Sequence, residues 1–211
     1  MKQPAAVAAL AAFLGVHTTA VQATASLIVN GSGQLTGATG VVVGAASYTV
    51  TFRDGTCAGL FGDCENISDF VFQSEADATA AAQALLDQVL INDGSFSFDT
   101  IPGKTDGCAG AEIFCDVLIP YGFGDSDHAA VAVAINAVSD PDDGTISAPF
   151  GTQADTSPNN LFTWAMFTPV SSVPEASSWA MMLLGFATMG LTVRRRRGRK
   201  RASSNTAQST S

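Results

Sequence analysis

The chain has 211 residues, 46% of them hydrophobic and 14% charged, with a formal net charge of −9. That length suffices for one domain with its own core. The acid excess excludes a general affinity for nucleic acid or for anionic lipid heads.

The charge is concentrated rather than spread. Seven of the ten basic residues fall between Arg194 and Arg201, and eighteen of the nineteen acids fall within 26–172. With Arg53 and Lys104 as its two cations, segment 26–172 carries a formal charge of −16. Such a body is soluble and self-repelling.

The chain begins Met1-Lys2, followed by an apolar, alanine-rich run over residues 5–16 and small residues at Ala23 and Ala25. A positive start, a short apolar run and an A-x-A pattern predict a secretory signal peptide over 1–25, cut after Ala25 in preference to Ala23. The run is too short to span a bilayer comfortably.

Beyond it, periodicity predicts strands at 26–29, 41–43 and 47–53. Tyr48, Val50 and Phe52 alternate with Thr49, Thr51 and Arg53, as a half-buried strand requires. A short strand is expected at 70–72 and a helix at 74–91. Ser74 suits the N-cap, Glu75 and Asp77 suit the first turn, and Ala78, Ala81, Ala82, Leu85, Leu86, Val89 and Leu90 recur at helical spacing. Further strands are expected at 96–101, 113–120, 129–138 and 161–168. The stretch 129–138 is apolar almost throughout and suits a central strand. The fold class expected is α+β and β-rich: a largely antiparallel sheet with one amphipathic helix, plus a C-terminal transmembrane helix.

Four cysteines occur as two similar pairs, Cys57 with Cys64 and Cys108 with Cys115, each pair opening Cys-Ala-Gly. Four cysteines allow three connectivities. Local pairing is expected, because each loop is short and bears glycine, and it requires an oxidising compartment. A four-thiolate zinc site is the rival, but such sites use gaps of two to four residues.

Catalytic signatures are sparse. Asp125-Ser126-Asp127-His128 puts a serine, an acid and a histidine side by side, which is not triad geometry. There is no Gly-x-Ser-x-Gly elbow. No catalytic residue is assigned. Asp140, Asp142 and Asp143, before Gly144, form a calcium candidate without EF-hand spacing. No other metal or cofactor is expected.

Between Glu175 and Arg194 lie 18 uncharged residues. As a helix they reach about 27 Å, against a bilayer core of about 30 Å. Arginines at one end can snorkel, and Trp179 at the other suits an interface. The basic cluster places the C-terminal end in the cytoplasm and segment 26–172 on the far side. Residues 202–211 are polar and Ser/Thr-rich, and read as a disordered tail.

Val173-Pro174-Glu175, then Trp179 through Gly185-Phe186, then Arg194-Arg195-Arg196-Arg197 occur in that order. The stretch 173–201 resembles the PEP-CTERM sorting signal of Gram-negative bacteria. Ala176 stands where that signal usually has a second proline. The resemblance implies cutting near the motif by exosortase, an intramembrane protease-transpeptidase, and transfer towards the cell surface. It also implies association with exopolysaccharide. The expected protein is therefore exported and non-catalytic. It is held at the inner membrane with its body in the periplasm, then sorted to the cell surface or extracellular matrix. Its expected partners are the membrane, an exosortase-like enzyme and exopolysaccharide, not nucleic acid. The alternatives are a calcium- or carbohydrate-binding surface module and, third, a secreted hydrolase.

Overall fold

Alternation decides the first long strands. In the computed structural model Tyr48, Val50 and Phe52 face a packed interior, while Thr49, Thr51 and Arg53 face the other way. The described residues are 24–170, Ser126 excepted. The expected signal peptide up to residue 23 and the sorting segment, membrane helix and tail from 171 onward lie outside them. Among the described residues no helix is long and apolar enough to cross a membrane.

Seven strands form one sheet: β1 (Ser26–Val29), β2 (Leu35–Val43), β3 (Ala46–Arg53), β4 (Phe114–Asp125), β5 (His128–Ala137), β6 (Gly144–Gly151) and β7 (Phe162–Pro169). Their spatial order is β1-β2-β3-β7-β4-β5-β6. The sheet is mixed rather than purely antiparallel, because β4 and β7 pair in parallel over Asp116–Leu118 and Phe162–Trp164. β5 lies between two partners, as its apolar sequence predicts.

Three further features depart from the sequence reading. Residues 70–72 and 96–101 form no strand. Phe70, Phe72 and Phe98 are buried, but they pack through their rings rather than through a backbone ladder. β6 is an additional strand. It is an edge, paired on one side only, and edges tolerate both its glycine ends and Pro149.

Among the described residues there are two α-helices. α1 (Cys57–Leu60) is one turn, capped by the Thr56 hydroxyl, which accepts from the Gly59 N–H. α2 (Glu75–Gln88) is the predicted amphipathic helix, ending three residues early. The Ser74 hydroxyl accepts from the Asp77 N–H at 3.2 Å, satisfying one open donor of the first turn. Ala78, Ala81, Ala82 and Leu85 are buried on the sheet, as are Val89 and Leu90 just beyond the last turn, while Leu86 is half-buried.

The sheet has a core on each face. The larger joins α2 to Leu35, Val41, Val50, Phe52, Val117 and Ile119. The smaller surrounds Trp164 with Leu118, Val131, Val133 and Phe70. The cysteines pair locally, 57 with 64 and 108 with 115, with Cα atoms 5.8 Å apart in each pair. Each disulfide is buried in a different core. Beyond Leu118, β4 has no register partner on β7, and Phe61, Val71 and Phe72 pack into the fork between the two strands. They meet Ile119, Pro120, Ala165 and Phe167 around a residual void of about 10 Å³.

One helix side chain completes the sheet edge. β1 pairs with β2 only as far as Thr39, leaving Val42 without a strand on that side among the described residues. The Val42 N–H donates to Gln88 Oε1 at 2.9 Å, and Gln88 Nε2 donates to the Val42 carbonyl at 2.9 Å. The glutamine amide thus stands in for a missing strand.

Removing it should leave a part-buried donor and acceptor unpaired. Gln88→Ala is expected to lower unfolding stability by about 1–3 kcal/mol, read from the urea midpoint. Gln88→Glu should not rescue it, because a carboxylate oxygen then faces the Val42 carbonyl. Replacing Cys57 and Cys64 together by serine should lower stability by roughly 2.5 kcal/mol on loop entropy. Reduction of the native chain opens both bridges and should cost roughly twice that, about 5 kcal/mol.

Candidate functional site

Of the Asp-Ser-Asp-His sequence, Asp125 ends β4 and His128 opens β5, the two facing each other across the hairpin. His128 also pairs with Gly151 on β6. The Asp127 carbonyl accepts from the Thr152 N–H at 2.8 Å and the Thr152 hydroxyl at 3.2 Å. The backbone of this turn is therefore tied to the end of β6.

The calcium candidate is also a turn. Asp140–Asp142 form a single 3-10 turn, closed by the Asp142 N–H on the Ser139 carbonyl. Asp142 is exposed. Asp143 Oδ1 accepts the Ala137 N–H at 2.7 Å, so this carboxylate caps the last residue of β5. Among the described residues no three His, Cys, Asp or Glu side chains gather as a metal-binding group.

A third cluster, which the sequence reading did not single out, sits at the end of β3. The Thr156 hydroxyl links its parts. It donates to Asp54 Oδ1 at 3.1 Å and accepts from the Gly55 N–H at 3.1 Å. The Gly55 carbonyl accepts Trp164 Nε1 at 3.0 Å, tying the loop to the smaller core. Burial raises the Asp54 pKa, the Thr156 hydrogen bond opposes this, and the charges of Asp106 and Asp155 raise it further. Gly107 stands beside this group with φ at +87°. A Cβ there would strike the side chains of Thr163 and Asp54, so only glycine fits.

Asp116 is the second acid missed. It is the third residue of β4, opposite Ile135 on β5 and Phe162 on β7. Its Oδ1 is buried without a hydrogen-bond partner. Desolvation raises its pKa from 3.8 to about 6. The signal was visible as an acid inside Ile113-Phe114-Cys115-Asp116-Val117-Leu118-Ile119.

The two ends of the described chain leave from the same end of the sheet, on β1 and β7 with β2 and β3 between them. Ser26 and Thr168 belong to one cross-strand row, Ser26–Thr39–Thr49–Thr168. After it the Val170 N–H donates to the Ser47 carbonyl at 2.8 Å. Both ends thus leave towards the β2–β3 turn at Gly44. An open groove of about 460 Å³, lined by Thr24, Ala25, Val42, Gly44, Asp87 and Gln88, lies at the same end. Ala25, half-buried, packs against the larger core. Val173, Pro174, Glu175, Trp179, Gly185, Phe186 and Arg194 to Arg197 lie outside the described residues, as does Ala23. Extended chain spans at most about 14 Å from Val170 to Pro174.

A family model of the PEP-CTERM protein-sorting motif matches residues 172–197. The motif is that of exported, membrane-held proteins that an exosortase-like enzyme processes for delivery to the cell surface. The match covers the tail and not the folded body. No curated protein and no solved structure matches the chain.

Asp116 carries a pH dependence with a definite sign. Its raised pKa means that the fold favours the protonated carboxyl. The associated stability is complete below the ordinary carboxylate value and is lost as pH rises through about 6. Asp116→Asn should therefore be more stable than the native chain at pH 7.5, by about 1–2 kcal/mol after discounting for the solvent the side chain keeps. The gain should vanish near pH 4. Thermal melts at the two pH values check this.

Proposed function

We propose that the chain is a non-catalytic, exported surface protein whose disulfide-stapled body is delivered into an extracellular polysaccharide matrix. The sorting motif at 172–197, starting three residues after β7 ends at Pro169, carries this reading. The body hands over to the signal with almost no linker. Once cut near Pro174, the folded domain leaves nearly whole.

Other observations support it. Two buried disulfides suit an oxidising exterior. A formal −16 on the body keeps it soluble and off anionic surfaces. Asp116 lies between Ile135 and Phe162, an apolar setting in the sheet rather than an acid paired with a nucleophile. The reading includes export through the signal at 1–25 and a transient C-terminal membrane helix.

Pro174→Ala combined with Glu175→Ala should leave an uncleaved, membrane-bound form that still carries the Arg-rich tail. Fractionation with an antibody to the body, and the intact mass of the native surface form, read this out. A native surface form that retains Arg194 to Arg197 would show a plain anchor instead. Native protein that separates completely from the polysaccharide fraction would remove the matrix half of the reading.

A further inference from the structure

The sheet half β1-β2-β3-β7 has two unlike faces. On one, Leu27, Ala38, Val50 and Phe167 stand in register across four strands and all join the larger core. On the other, the neighbouring row is Ser26, Thr39, Thr49 and Thr168, also in direct register. Ser26, Thr39 and Thr168 are exposed and Thr49 is half-buried. Adjacent strands lie about 4.8 Å apart, so the row presents one hydroxyl per strand over about 14 Å. Among the described residues none of these four hydroxyls has a hydrogen-bond partner within the protein. The next row on the same face contains Ile28, Thr51 and Met166, which give it an apolar flank.

Charge sets this face apart. None of the four strands contains an acid, although the body carries eighteen. Their single charged side chain is Arg53. A polymer approaching the body meets like-charge repulsion elsewhere if it is anionic, and it finds hydroxyl donors and acceptors beside apolar contacts here if it is neutral.

We propose that this face is the polysaccharide-contacting surface, and that its ligand is an extended neutral glycan lying across β1-β2-β3-β7 along the Ser26–Thr39–Thr49–Thr168 row. Each strand offers one hydroxyl to the sugar hydroxyls, and Ile28 and Met166 meet the C–H faces of the rings. The inference rests on the matrix reading above, and it names the surface and ligand class that reading lacks.

The test uses the full chain in mild detergent, electrophoresed natively through gels holding hydroxyethylcellulose, dextran or alginate. Retardation by a neutral glucan is expected. The triple variant Thr39→Val, Thr49→Val, Thr168→Val keeps shape and strand preference but removes three hydroxyls. Its apparent affinity should fall at least tenfold with an unchanged melting temperature. Thr→Ser at the same three positions should keep the affinity within about threefold. Equal retardation of native and valine variants would overturn the assignment while leaving the matrix reading intact. Retardation by alginate alone, by no glycan, or loss of a dimer in the valine variant would also overturn it. The matrix reading itself fails separately, on fractionation of the native protein from cells.

Discussion

The structure depends on a three-residue joint. β4 and β7 meet only at Asp116–Leu118 and Phe162–Trp164, and this parallel contact alone links the half β1-β2-β3-β7 to the half β4-β5-β6 within the sheet. So short a ladder contributes few backbone hydrogen bonds, so side chains must hold the two halves. α2 spans them in the larger core, and Trp164 does so in the smaller. Trp164 is fully buried, its ring lies 5.6 Å from that of Phe61 and 5.3 Å from that of Phe150, and its indole N–H is bonded to Gly55. The disulfides secure the same place from both faces. Cys115 precedes Asp116 on β4 and is buried in the larger core, while the Cys57–Cys64 loop packs with Trp164 in the smaller. Asp116 follows from this constraint: β4 must have a neighbour on both sides at the joint, so its carboxylate is caught between Ile135 and Phe162.

Charge is segregated by the same architecture. β1, β2, β3 and β7 hold no acid, and the acids concentrate in α2, the loops and the β4–β5–β6 half. Both ends of the described chain belong to the acid-free half and leave by its β2–β3 end. Beyond about 8 Å the fields of individual acids are screened at physiological salt, so a neutral face is not erased by the charge around it. The surrounding repulsion also protects the open edges. β1 is only four residues long, and β6 contains Pro149, two devices that discourage edge-to-edge pairing.

Legibility in the sequence followed locality. α2 was readable because its cap, its first-turn acids and its apolar stripe all lie within one short window. β3 and β5 were readable from alternation and from a long apolar run. The errors arose where burial and pairing part company. Phe98 is buried and its carbonyl is satisfied by the Asn136 side-chain amide at 2.9 Å, so an apolar run there needs no strand partner. β6 was missed for the opposite reason: it is paired but poorly buried, with Ile146 half exposed, so it lacks a strand's apolar signature. The parallel joint joins residues more than forty positions apart, and no local pattern announces it. Asp54 gave no signal because its environment is assembled from Asp106, Asp155 and Thr156, all distant in sequence.

The same distinction separates the two things the chain encodes. A sorting signal is read by a membrane and a processing enzyme as a linear order of motif, apolar span and cations, so composition alone displays it. A binding face is an outcome of register. Residues 26, 39, 49 and 168 share no motif and no spacing. They become a row because β1 pairs with β2, β2 with β3 and β3 with β7 in one alignment. A slip of one residue in any of these pairings would turn the hydroxyls inward and Leu27, Ala38, Val50 or Phe167 outward. The bulges in β1 and β2 fall outside the row, between Ile28 and Val29 and between Thr39 and Val41. They absorb irregularity at its margins and leave the row itself in phase. Burial of the opposite face therefore fixes the chemistry of the exposed one, and the core that stabilises the domain also sets what it presents to its surroundings.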